Sequence, residues 1–182
     1  MLTYQIHNIE TAPDKSKPLL ELFTGVVGFV PNLAGAIANS PVLANSLLGL
    51  FQNVHNGSFT EPEVQVLLLT NAVTNSCNWA VAFHTALGLK EGVNPEDVKA
   101  IRERRLPSQQ RYAALSRFAK TLIEKRGHVS DDDLTTFLEA GFEKEHALEV
   151  LAVVAASSIT NYAGSITNPP LEAFLQEHAW RG

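Results

Sequence analysis

The stretch from Thr60 to His84, TEPEVQVLLLTNAVTNSCNWAVAFH, constrains the fold more than any other part of the chain. Its apolar run from Val64 to Val73 shows no two-residue alternation and almost no polar face, which describes a helix buried nearly all round. Thr60 is placed to cap the start, with Glu61 and Glu63 in the first turn, where the helix dipole favours negative charge. Asn75-Ser76 breaks the run, and a second helix is expected from Cys77 to about Gly88.

Helical signals continue on both sides. Ser40-Pro41 reads as an N-cap followed by Pro at the first helical position. Val42, Leu43, Leu47, Leu48 and Leu50 follow, and the helix fades at His55-Asn56-Gly57. Asn94-Pro95 opens a helix from Glu96 to Arg104, and Leu106-Pro107-Ser108 is a linker. Gln109 to Lys125 carries Tyr112, Leu115, Phe118, Ala119 and Leu122 at helical spacing, with Gly127 as its stop. Ser130 with Asp133 resembles a capping box. Glu143 to Ile159 is another buried helix, and Pro170 to Trp180 a short final one. The expectation is an all-α protein of eight to ten helices. It is a single domain over residues 1–182, with a motif-bearing half at about 20–105 and a C-terminal helical half at about 108–182. A shift of 83 residues places Phe59, Leu68, Ala72, Asn78 and Ala80 on Phe142, Leu151, Ala155, Asn161 and Ala163, and Trp79 on Tyr162. Duplication of a helix hairpin explains this echo, and so does chance between Ala-rich helices. The Trp79/Tyr162 pair and the Phe residues are expected to build core.

Composition narrows the partners. Apolar residues make up 45 % of the chain and charged residues 18 %, against ~25 % charged in an ordinary soluble domain. Surface covered by copies of the chain itself fits that balance, so a homo-oligomer is expected. The net charge of −5 comes with no basic stripe, which argues against nucleic acid. The N-terminal residues lack an apolar leader and the apolar stretches are interrupted by Asn, Thr and Ser, so no membrane span is expected. One cysteine, Cys77, forms no intrachain disulfide and fits a reducing cytoplasm. His7, His55, His128, His146 and His178 are scattered without metal-ligand spacing, and no phosphate loop or dinucleotide fingerprint occurs. Neither a metal nor another cofactor is expected.

The chemistry-bearing residues lie in the opening stretch. On a continuous helix, residues seven apart differ by only ~20° around the axis. Cys77, Ala80 and His84 would then share one face. With Ser76 as cap, Cys77 would sit in the first turn, where free N–H groups stabilise a thiolate. That is a reactive-cysteine arrangement. A lone cysteine among Ala, Val and Phe is also an ordinary small core residue, and the spacing leaves both readings open.

This stretch resembles the alkylhydroperoxidase D (AhpD)-like / carboxymuconolactone decarboxylase family. Pro31-Asn32-Leu33 and Ala38-Asn39-Ser40-Pro41 look like its lead-in helix. Thr60-Glu61-Pro62-Glu63 looks like the turn opening its motif helix, and Asn75-Ser76-Cys77-Asn78-Trp79 like the first half of its redox motif. The run with Thr160-Asn161-Tyr162 looks like the peroxidase-related branch. The resemblance covers roughly Leu20 to Phe174. The family motif is Glu, eleven residues, then Cys-x-x-Cys-x-x-x-His. Laid on this chain, the first cysteine is Cys77, the second falls on Ala80, the histidine is His84 and the glutamate falls on Gln65. In the family the second cysteine attacks peroxide, with the glutamate and histidine as proton relay, and the first cysteine resolves the sulfenate.

The attacking thiol and the relay carboxylate are therefore missing. A Gln amide takes up no proton near neutral pH. Glu61, one turn before Gln65, is the replacement that spacing allows, and Trp79 is a candidate lining residue. Glu63 lies ~200° around the helix from Gln65 and faces elsewhere. The resemblance implies a peroxidase-related oxidoreductase of weakened or lost dithiol activity, with Cys77 reduced by a small thiol or a partner protein. The alternatives are small-molecule binding or lactone/decarboxylase-type chemistry in the same pocket, or a catalytically silent helical oligomer.

Overall fold

In the computed structural model, which describes residues 3–182, the chain forms nine α-helices and no strand among those residues. They are α1 (Lys17–Val27), α2 (Asn32–Ile37), α3 (Pro41–His55), α4 (Glu61–Thr74), α5 (Asn78–Lys90), α6 (Pro95–Arg102), α7 (Gln110–Glu124), α8 (Asp131–Glu139) and α9 (Lys144–Thr167). Short 3-10 turns precede α1 and follow α9, at Asp14–Ser16 and Ala173–His178.

Helix α4 is the centre. Every residue from Glu63 to Val73 is buried, and α5, α6, α7 and α9 pack around it. The largely apolar run thus has neighbours on every side, as its lack of a polar face requires. The predicted caps form: Ser40 Oγ accepts from the Leu43 N–H, Thr60 pairs with Glu63, and Ser130 pairs with Asp133. Phe118, Phe137 and Phe142 stack in the core beneath α7 and α8, with centroids 4.4 and 4.5 Å apart.

Three expectations change. Helix α9 runs to Thr167 rather than ending near Ile159. Its hydroxyl residues bond back into the helix: Thr160 Oγ1 donates to the Ser157 carbonyl, Ser165 Oγ to that of Asn161, and Thr167 Oγ1 to that of Ala163. The helix ends at Asn168, in the left-handed region at φ 44°. The expected final helix, Pro170 to Trp180, shortens to the 3-10 turn Ala173–His178, whose flanks are tied to other helices: Trp79 Nε1 donates to the Glu172 carboxylate and Trp180 Nε1 to the Arg102 carbonyl. Tyr162, expected in the core, is 58 % exposed on α9. Helices α4 and α9 start 83 residues apart, the offset of the sequence echo, but α9 passes unbroken through the place where α4 gives way to α5.

One ion pair ties the centre to α7. Arg111 Nε donates to Glu63 Oε1 at 2.9 Å, while the Thr60 N–H and hydroxyl donate to Oε2. Burial pushes the Glu63 carboxyl up, but these bonds outweigh it and hold it below its ordinary 4.5. A depressed carboxylate stabilises the fold above its unfolded-state pKa, and that stability is lost as pH falls through the folded value. Glu63→Gln is expected to lower stability by about 2 kcal/mol at pH 7. The deficit should shrink on acidification below the ordinary carboxylate range, as read by urea unfolding across pH.

Candidate functional site

The core opens into a cavity of about 420 Å³ between α1, α2, α3, α4 and α5, a size suited to a small-molecule ligand. Its walls are largely apolar: Phe23, Leu33, Ile37, Leu47, Phe51, Leu68, Trp79, Ala80 and Phe83 among them. Trp79 and Phe83 stack with centroids 4.8 Å apart, and Phe23 meets Phe51 edge-on at 5.6 Å. The Trp79 indole is held from behind, its Nε1 donating to Glu172 at 3.1 Å. Exposed Gln52, His55, Asn56, Lys90 and Glu91 also line the cavity, so its outer end meets solvent.

Two polar pairs line this cavity. Deep inside, His84 Nδ1 lies 3.0 Å from Gln65 Oε1. A carbonyl oxygen only accepts, so Nδ1 carries the hydrogen and Nε2 keeps a lone pair. Nε2 has no hydrogen-bond partner among the described residues. Burial, and then the nearby His55, push the pKa of His84 down to about 3. The ring is neutral throughout the physiological range. At the outer end, His55 Nδ1 lies 3.0 and 3.1 Å from the two Glu61 oxygens. The carboxylate is thus absent beside His84 and present one turn earlier, beside a different histidine.

Cys77 lies elsewhere. It does not line the cavity. The spacing places it on the first helical turn, in line with Ala80 and His84, but the structure makes it the N-cap of α5, with φ −89° and ψ 96°. Ser76 before it is left-handed at φ 55°. A residue outside the helix does not follow the helical rotation, so its side chain leaves the stripe. Its sulfur lies against α9, where a Cβ built on Gly164 would come within 2.7 Å of it. Burial pushes the thiol above its ordinary range; the Ala80 and Trp79 amides favour the thiolate but do not offset this.

Of the residues singled out by sequence, Glu61, Gln65, Trp79, Ala80 and His84 therefore meet at one cavity, and Cys77 stays behind its wall. Glu63 faces Arg111 instead. Sequence reasoning misses His55 and Thr160, both in the lining. The signal for His55 is the short turn joining the end of α3 to the start of α4, which brings a C-terminal histidine to an N-terminal glutamate. Among the described residues, no group of three or more His, Cys, Asp or Glu side chains is placed to hold a metal ion.

The sequence model of the carboxymuconolactone decarboxylase family matches residues 41–130. No curated protein matches the chain. Among solved structures, an uncharacterized peroxidase-related protein with an alkylhydroperoxidase AhpD core, from Ralstonia eutropha JMP134, superposes with a TM-score of 0.83 at 19 % identity. That match covers 94 % of this chain and 93 % of the other. A variant of the debrominase Bmp8 in complex with 2,3,4-tribromopyrrole gives 0.81 at 17 % identity, covering 98 % and 95 %. An uncharacterized peroxidase-related protein from Silicibacter sp. TM1040 gives 0.79 at 17 %, covering 96 % and 92 %. At these identities the likeness is one of fold.

A thiol pushed up by burial and walled off by α9 should react slowly. Cys77 is expected to label with a small disulfide reagent at pH 7.5 at least about a hundredfold more slowly in the native protein than in urea. Labelling at the rate of the unfolded chain would show the sulfur to be open to the cavity.

Proposed function

With residues 41–130 belonging to the carboxymuconolactone decarboxylase family, we propose that the protein binds a small apolar, ring-shaped ligand that donates one hydrogen bond to His84. On this reading it does not run a dithiol peroxide cycle. The observation that carries the proposal is the neutral His84, pinned by Gln65 in the wall of an apolar cavity, with Ala80 one turn before it. A buried lone pair favours a donor and disfavours an anion. Stacked and edge-on aromatic rings favour a flat apolar body. The bromopyrrole bound by the debrominase variant has that chemistry, a flat halogenated ring with one N–H.

The redox alternative lacks parts. The family's peroxide-attacking position is Ala80 here, and a methyl group attacks nothing. The one thiol lies outside the cavity, with its thiolate disfavoured. Gln65 gives His84 no negative partner, so the inner pair takes up no proton near neutral pH.

A second reading rests on the outer pair. A histidine hydrogen-bonded to a carboxylate is how a general base is oriented, and His55 with Glu61 lines the same cavity. Proton abstraction from a bound ligand, as lactone or decarboxylase-type chemistry requires, would run there. In that case His55→Asn should stop turnover while changing ligand affinity less than about threefold.

The test of the main reading pairs two ligands with two assays. 2,3,4-Tribromopyrrole should bind at least about tenfold more tightly than its N-methyl derivative, since losing one hydrogen bond to a buried acceptor is worth about 1.4 kcal/mol or more. His84→Phe should erase that difference. Peroxide consumption with dithiothreitol should stay at background and be unchanged by Cys77→Ser. Fast consumption abolished by Cys77→Ser would overturn the proposal, as would equal affinity for the two pyrroles.

A further inference from the structure

Four buried residues with polar side-chain atoms line the cavity: Gln65, Trp79, His84 and Thr160. Three of their donors are committed inside the protein. Trp79 Nε1 donates to Glu172, Thr160 Oγ1 to the Ser157 carbonyl, and His84 Nδ1 to Gln65 Oε1. The one donor group left is the Gln65 amide nitrogen, and near it stands the lone pair of His84 Nε2. An amide that accepts through Oε1 presents two Nε2 hydrogens on its other corner. Gln65 Nε2 makes no hydrogen bond to any described residue. Neither nitrogen is sealed in protein as the Asn71 amide is. Both belong to residues that line the cavity while being only 4 % and 5 % exposed.

We propose that the ligand is a flat cyclic amide, whose N–H donates to His84 and whose neighbouring carbonyl accepts from Gln65. The inference rests on the reading of His84 as a neutral acceptor and adds a second contact to it. The two side chains are already joined by a 3.0 Å bond, so a ligand that meets both carries its donor and its acceptor close together.

The chemistry of the amide narrows the class. In a small ring the amide is held cis, and its N–H and C=O point the same way. An open-chain secondary amide is trans and points them apart. A carboxylic acid has both groups on one edge, but it is ionised near neutral pH and would set a charge against a neutral imidazole in an apolar pocket. A cyclic amide stays neutral, and its flat body suits the stacked Trp79 and Phe83. A ring with an N–H alone leaves the Gln65 donor buried without a partner, and a site built this way binds such a ring less tightly.

Two isomers separate these contacts from shape. 2-Quinolone and 4-quinolone share the same fused rings, and each carries one N–H and one C=O, but only 2-quinolone has them on adjacent atoms. Titration calorimetry of the wild type should show 2-quinolone binding at least about tenfold more tightly than 4-quinolone, and at least about tenfold more tightly than N-methyl-2-quinolone. Gln65→Met removes the amide hydrogens at nearly constant volume, and the preference between the isomers should fall below about threefold. Should that variant unfold, the wild type supplies a second readout. One Gln65 side-chain amide proton should move downfield in proton–nitrogen NMR spectra on binding 2-quinolone, and not with 4-quinolone. Equal affinity for the two isomers overturns the proposal, as does a preference that survives Gln65→Met, an unmoved Gln65 proton, or no binding of 2-quinolone at about 1 mM. If the isomers bind alike while N-methylation still costs about tenfold, the Gln65 contact fails and the reading of His84 stands. If N-methyl-2-quinolone binds as tightly as 2-quinolone, the reading of His84 fails and this proposal with it.

Discussion

Helix α4 is buried without interruption from Glu63 to Val73, and the polar side chains on it are costly unless paired inside the protein. Glu63 takes Thr60 and Arg111, Thr70 donates to Ser116 at 2.9 Å, and Gln65 takes His84. Asn71 alone among them finds no hydrogen-bond partner. The Gln65–His84 bond does more than satisfy two groups. It fixes the tautomer of the one ionisable side chain buried deep in the cavity, and because the amide carries no charge it leaves that imidazole without a counter-ion. Charging an unpaired buried ring costs several kcal/mol, which is why the pKa of His84 falls to about 3.

A division of the cavity follows. Its inner end holds a neutral acceptor among aromatic and aliphatic walls, and its outer end holds His55, Glu61, Lys90 and Glu91. The family pattern that this chain resembles would put a carboxylate and two thiols at the inner end. Here that end keeps only the histidine. Cys77, the surviving cysteine, caps α5 and packs its sulfur against Gly164. The left-handed Ser76 turns the chain there. The same turn that starts α5 is what takes the thiol out of the pocket.

Much of the fold is legible in the amino-acid sequence. Caps are readable because they are local: Ser40, Thr60 and Ser130 each bond within three residues. The central helix is readable because a run with apolar residues on every face has only one comfortable environment. The lining at Glu61, Gln65, Ala80 and His84 follows from helical spacing and from the family motif. The departures have equally local causes. Helical rotation misplaces Cys77 because it is extended, one residue before the helix start. The expected end of α9 near Ile159 falls short of Thr167, and the Ser and Thr residues in between keep to the helix, their hydroxyls bonding to carbonyls three or four residues back. The analogy with Trp79 puts Tyr162 in the core, but the burial of a helix face depends on which neighbours pack there. His55 carries no signal of its own, since its meaning comes from Glu61, across a turn.

The inner end of the cavity is neutral and accepts a hydrogen bond through His84, and the proposed ligand chemistry depends on that one property. Nitrogen-15 and carbon-13 chemical shifts of the His84 ring, followed from pH 8 to pH 4, test it most directly. The expected result is a single neutral tautomer, protonated at Nδ1 and bare at Nε2, with no titration over that range. A ring that titrates near pH 6.5, or one protonated at Nε2, would contradict it.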